Sequence, residues 1–148
     1  MKFSKDLDIE RAMVRIRRAI NRGVFAERVK QALGSSFDAG LAALLDAIEQ
    51  QLEANGSVTV GRIAEQLGVD QSRASRLVAA GVEAGIVQRG ASQGDGRRVE
   101  LGLTPAGERL LADVHRVRRG FAGDLMTGWP AKDRARFAKL IKAFVSAL

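Results

Sequence analysis

The chain has 148 residues, 46% of them apolar, with no cysteine, one histidine and two prolines. That is enough apolar sequence for a packed core and too much for a disordered chain. The missing thiols exclude disulfides, thiolate metal sites and thiol redox sensing. A net charge of +7 suits a polyanionic partner. The surplus is unevenly placed. Residues 1–30 and 101–148 each carry nine basic against four acidic residues, and residues 31–59 carry four acidic and no basic ones. Residues 60–100 are close to balance, with six basic and five acidic residues. No run approaches the roughly 20 apolar residues of a membrane span. The opening MKFSKDLDIE lacks the apolar core of a signal peptide. A soluble, cytoplasmic protein is expected.

Met13, Ile16, Ile20 and Val24 recur at helical spacing within residues 6–33, and Val29 and Leu33 continue the stripe. Gly23 is placed to bend or break that helix. Gly34-Ser35-Ser36 is a break, and either serine is a candidate cap for a second helix over residues 38–54. Its apolar face is Leu41, Leu44, Leu45, Ile48 and Leu52, and Asn55-Gly56 stops it. Val58-Thr59-Val60 reads as a short strand.

The most specific pattern runs from Val58 to Thr104. Gly61–Leu67 reads as a helix with Ile63, Ala64 and Leu67 inward. Gly68-Val69 makes a turn, and Asp70 is an N-cap for a helix over Gln71–Ala84. Ala74, Leu77 and Val78 face the core of that helix, and Gly85 ends it. Residues 86–89 and 97–103 alternate as strands around a Gly-rich loop at 90–96. This order is a winged helix-turn-helix, which fits one helix into a major groove and a hairpin beside it. Thr104-Pro105 then caps and starts a long helix, with Leu110, Val114, Val117, Phe121 and Leu125 as its stripe. After a break at Gly128-Trp129-Pro130, a last helix carries Phe137, Leu140, Ile141, Phe144, Val145 and Leu148 on one face.

The fold class expected is mainly α with a small β wing. A winged helix-turn-helix DNA-binding region occupies residues 58–104. Residues 1–57 and 105–148 form a helical dimerisation region, because a winged unit of under 50 residues cannot cover both terminal stripes. Dimerisation is assigned to Met13, Ile16, Ile20, Phe137, Leu140, Ile141 and Phe144. A two-fold pair would set two reading helices roughly 34–36 Å apart, one DNA turn.

Gln71, Ser72, Arg73, Ser75 and Arg76 occupy the start of the second motif helix, off its apolar face. Short polar residues let the backbone approach DNA, and the arginines and glutamine reach base edges or phosphates. A solvated helix face has the same pattern. Asp95, Arg97 and Arg98 sit at the hairpin tip, where an arginine suits the negative potential of a narrow minor groove. A plain charged hairpin is the alternative. The helix pair followed by such a wing is the less accidental combination.

VGRIAEQLGVDQSRASRLV, the loop GDGRR and the following VELGLTPAGERLL resemble the MarR (multiple antibiotic resistance regulator) family, and the resemblance extends over nearly the whole chain. It implies that Asp95 orders the wing and Arg97 enters the minor groove. It also implies that Gln71–Ala84 is the recognition helix and that the terminal helices make the dimer. A small effector, often an aromatic anion, would bind between the dimer helices and the winged unit. Gly81 departs from the pattern, where the family has a larger apolar residue.

His115 reads as a surface or interface residue, since one histidine and no cysteine cannot build a transition-metal site within one chain. Trp129 reads as packing at the junction of the last two helices, with ligand stacking as the minor alternative. The clusters Arg15/Arg17/Arg18 and Arg116/Arg118/Arg119 suit salt bridges, flanking phosphate contacts or an anion pocket. No cofactor and no metal is expected, and no residue set suits catalysis.

The expected function is a ligand-responsive repressor binding a pseudo-palindromic duplex as a homodimer. A winged module binding protein or RNA, or an activator or architectural DNA-binding protein, remains open.

Overall fold

A computed structural model describes residues 2–34, 38–91 and 99–148. Seven helices and one hairpin follow in the order α1 (Lys2–Asn21), α2 (Val24–Leu33), α3 (Ala39–Asn55), α4 (Val60–Leu67), α5 (Gln71–Glu83), β1 (Val87–Ala91), β2 (Val99–Leu103), α6 (Pro105–Leu125) and α7 (Ala131–Val145). Gly23, at φ 71°, separates α1 from α2.

Local chemistry sets most boundaries. Asp38 accepts a hydrogen bond from the Leu41 N–H at 3.0 Å and so caps α3. The cap was expected at Ser35 or Ser36, which lie outside the described residues. A carboxylate at the position before the first helical residue fulfils the role. Val58–Val60 is not a strand. Thr59 accepts from the Arg62 N–H and caps α4, so Val60 is already helical. What remains of β character is one hydrogen bond from the Leu101 N–H to the Val58 carbonyl, at 2.9 Å.

The core joins α3, α4, α5, the hairpin and the start of α6. Leu44, Leu45, Ile48, Val58, Ile63 and Val78 are fully buried in it, with Val87, Leu101 and Leu111 beside them. α3 thus supplies the centre of the winged unit, although the sequence boundary at residue 57 groups it with the flanking helices. β1 and β2 pair antiparallel, with Val87 opposite Leu103 and Ala91 opposite Val99.

Two glycines set how closely elements approach. A Cβ on Gly81 would lie 2.8 Å from Val87 Cγ2 and 3.0 Å from Leu44 Cδ2. The absent side chain is what seats α5 between α3 and β1, which explains the departure from the larger family residue. At Gly107 the approach is closer still, because a Cβ there would collide with the backbone oxygen of Ile86. Thr104 completes this junction. Its hydroxyl donates to the Gly85 carbonyl at 2.6 Å and accepts from the Gly107 N–H at 3.0 Å.

Beyond that junction burial declines. α6 buries Gly107, Leu111 and Val114, Phe121 is half-buried and Leu125 is 63% exposed. The stripe expected to be buried throughout α6 is therefore buried only where the winged unit covers it. α2 covers part of the remainder, through an edge-to-face pair of Phe25 with Phe121 at 5.2 Å. Arg28 sits over the same ring and pairs with Asp124 at 3.2 Å. α7 buries no residue. Trp129, in the linker before it, packs edge-to-face on Phe137 at 5.5 Å, as the junction reading expected.

Gly107→Ala should destabilise the fold by about 3 kcal/mol, the upper part of the overpacking range, because the neighbour is backbone and cannot rotate away. Gly120→Ala, in the same helix with nothing within 4 Å of its Cβ position, should stabilise by about 0.5–1 kcal/mol through helix propensity. Urea unfolding followed by circular dichroism measures both. Equal effects would contradict the close approach.

Candidate nucleic-acid interface

The reading unit is built by two short helices and the turn between them. Gly68 takes the left-handed conformation, φ 63°, that closes α4. Val69 continues the chain, half-buried against the core. Asp70 accepts from the Arg73 N–H at 2.7 Å and starts α5. α5 then buries Ala74, Val78 and Gly81. This one-sided burial turns the opposite side outward.

Gln71, Ser72, Arg73, Ser75 and Arg76 are all exposed, but they do not share one direction. At 3.6 residues per turn, Ser72, Arg76 and Ala79 lie opposite the buried line. Gln71 is on the shoulder towards α4, where its side-chain oxygen lies 3.9 Å from the Cβ position of Gly61. Arg73 is on the shoulder towards α3. Arg73 and Arg76 line an open groove of about 430 Å³ with Asp38, Leu41, Leu77 and Ala80. The outward face therefore carries Arg76 between the small residues Ser72 and Ala79, with Arg73 along one edge. It can admit a polyanion closely and hold it from that edge.

The sequence-assigned wing residues Asp95, Arg97 and Arg98 lie outside the described residues. The described strands bring the chain to the wing from Ala91 and take it back at Val99. The residues assigned to dimerisation are exposed on two helices. Met13, Ile16 and Ile20 are on α1, and Phe137, Leu140, Ile141 and Phe144 are on α7, each more than 40% exposed.

A second polar constellation was not assembled by sequence reasoning. Arg118 of α6 donates from Nη1 to both carboxylate oxygens of Asp46 on α3, at 2.8 and 2.6 Å. His115, one turn earlier, places Nε2 3.5 Å from Asp46 and 3.4 Å from Glu49. The Arg116/Arg118/Arg119 cluster marked one partner. Nothing local marked Asp46, 72 residues away. Arg118 also lines a cavity of about 190 Å³ with Ile20, Gly23, Phe25, Ala26, Val29, Ala39 and Ala42. Arg116 pairs instead with Asp113 on its own helix, at 2.6 Å. Among the described residues no group of three His, Cys, Asp or Glu side chains is arranged to hold a metal ion. No described helix is long and apolar enough to cross a membrane.

Residues 42–98, which include both motif helices and β1 and end just before β2, match the MarR family model. That stretch is similar to the winged helix-turn-helix of the MarR family. Solved structures share the fold over nearly the whole chain. A Mycobacterium tuberculosis protein is 19% identical with a TM-score of 0.73, covering 95% of this chain and 92% of its own. A MarR family protein from Bacillus stearothermophilus is 18% identical with a TM-score of 0.71, covering 93% and 96%. BpsR of Bordetella bronchiseptica, whose DNA binding is regulated by 6-hydroxynicotinic acid, is 18% identical with a TM-score of 0.60, covering 91% and 98%. No curated protein sequence matches the chain. In MarR terms α4 and α5 are the helix-turn-helix, and β1 and β2 are the stem of the wing.

Asp70→Ala should cost about 1 kcal/mol of stability by removing the α5 cap, and Asp70→Ser should recover most of it. Chemical denaturation distinguishes them. Identical midpoints for wild type and Asp70→Ala would show that the cap contributes nothing.

Proposed function

We propose that this MarR-family DNA-binding regulator is a homodimeric, ligand-responsive repressor of a pseudo-palindromic duplex site. The observation that carries the reading is the outward face of α5, with Arg76 between small residues, Arg73 along one edge and a core-locked back. Gln71, Ser72, Arg73, Ser75 and Arg76 are its major-groove residues. Asp95, Arg97 and Arg98 form the minor-groove wing, with Asp95 holding the loop and Arg97 entering the groove.

Residues 1–57 and 105–148 carry dimerisation in this reading. The support is the pair of apolar faces on α1 and α7, which one chain leaves exposed. Together they are larger than the scattered apolar exposure normal on a monomer. A second copy brings the same two faces and buries all four.

The effector site in this reading is the cavity beside Arg118. Its walls are mostly apolar, and its guanidinium has donors beyond the Nη1 engaged by Asp46. That chemistry fits one aromatic ring bearing a carboxylate. The regulation of BpsR by 6-hydroxynicotinic acid is in keeping with it.

A random-duplex selection with purified protein tests the reading, and it should return two related half-sites about one helical turn apart. Arg97→Ala should weaken binding to the selected site by about 1–3 kcal/mol and lower the salt slope by about one. Fluorescence anisotropy across a salt series reads both. Unchanged affinity and slope would remove Arg97 from the interface. Ile141→Asp with Phe144→Asp should convert the dimer to monomer in analytical ultracentrifugation. A dimer that survives both changes would refute the α7 assignment.

A further inference from the structure

We propose that a row of arginines along the outer side of α1 binds the phosphate backbone of a second double-stranded DNA segment, so that one dimer holds two duplexes. The inference rests on the duplex-binding homodimer proposed above.

Arg11, Arg15, Arg18 and Arg22 follow one another at helical spacing, and all four are exposed. Arg22, just past the last residue of α1, still donates its N–H to the Arg18 carbonyl at 3.0 Å and so extends the row. At about 100° and 1.5 Å per residue, the row is a stripe roughly 60° wide and about 16 Å long. Ile9, Met13, Ile16 and Ile20 form a second exposed stripe, centred roughly 160° away around the helix. A partner copy that covers the apolar stripe therefore leaves the arginines turned outward.

Two features set this row apart from an ordinary solvated face. Arg28, Arg116 and Arg118 each hold a carboxylate. Among the described residues, no carboxylate pairs with an arginine of the row. Asp8 lies on the same side and borders an open groove of about 840 Å³ with Arg11, Arg15 and Arg18, yet forms no ion pair there. The row also sets like charges three and four residues apart, a spacing that destabilises a helix. Arginines that repel one another and neutralise nothing in their own chain make a linear positive field. A phosphate backbone offers opposite charges in series, and guanidinium groups grip phosphates with paired donors.

The position of α1 separates this contact from sequence reading. α1 packs mainly on α2, and α2 mainly on α6, whereas α3, α4, α5 and the hairpin build the winged core. The row is thus carried by the body of the dimer and not by the reader. Charge follows the same division. Residues 60–100 are near balance, while residues 1–30 carry nine basic against four acidic residues. A duplex held at α5 and the wing leaves the row open to another stretch of DNA. Holding the first stretch raises the effective concentration of a second on the same molecule. The contact carries no sequence information, because it is made to phosphates.

A bead assay tests the inference. The selected duplex is immobilised, full-length dimer is bound, free protein is washed away, and a fluorescent duplex of unrelated sequence is added across a salt series. Wild type should capture the second duplex with a log–log salt slope of about −3 to −4, as four phosphate contacts require. A variant combining Arg11→Gln, Arg15→Gln, Arg18→Gln and Arg22→Gln should capture roughly tenfold less, yet bind the immobilised duplex within about twofold of wild type. It should still sediment as a dimer. Lysine at the same four positions keeps the charge and should keep most of the capture, which separates charge from folding. Wild-type capture by the glutamine variant overturns the inference. Wild type that holds the selected duplex and captures nothing overturns it too, and leaves the proposed function standing. Failure to hold any selected duplex overturns both. Retention on phosphatidylglycerol vesicles that the glutamine variant loses, with no second duplex captured, assigns the row to a lipid surface and overturns the inference.

Discussion

The contact between Gly107 and the Ile86 carbonyl is the constraint on which the arrangement depends. α6 leaves the winged unit at the point where β1 begins, and it does so with no room for a methyl group. Thr104 reinforces the same point by capping α6 and bonding Gly85 with one hydroxyl. The direction of the longest helix is therefore set by backbone-to-backbone proximity. Side chains fill in around it. Everything that α6 carries further along, including His115, Arg118 and Phe121, is placed relative to the reading unit by this one junction.

α3 has a complementary role. Its apolar side forms the centre of the winged core, and its polar side meets α6 through Asp46 and Glu49. The helix is a wall shared by two compartments, one buried and apolar, the other partly exposed and polar.

Much of this was readable from local sequence because capping and turn chemistry act over three or four residues. Asp70, Thr104 and Gly68 were assigned their roles from neighbours alone, and each fulfils it. The same locality misled at Val58–Val60, where β-branched residues suggested a strand. Thr59 was better used as a helix cap, and Val58 kept only one bond to β2. Ser35 or Ser36 was expected as the cap of α3 where Asp38 fulfils the role, because serine and aspartate both cap well and spacing alone does not choose. The partners of Arg118 were illegible because no period links Asp46 to a residue so distant in the chain. Gly81 stood out only as a departure from the family pattern and Gly107 did not stand out at all, since close approach is a property of the neighbour. The shoulder positions of Gln71 and Arg73 emerged only when the buried line of α5 was known. The wing residues Asp95, Arg97 and Arg98 lie outside the described residues, and their role is the one the resemblance implies.

α7 bears on what it means for this chain to be folded. The helix has 15 residues and buries none of them. An isolated helix of that length is marginal in water, so its order depends on an apolar cover that the rest of the chain does not supply. The winged core can be complete while α7 frays. In the proposed dimer, helicity at the C-terminal end is then a gauge of association, set by protomer concentration, and the temperature at which that end melts carries different information from the temperature at which the core does.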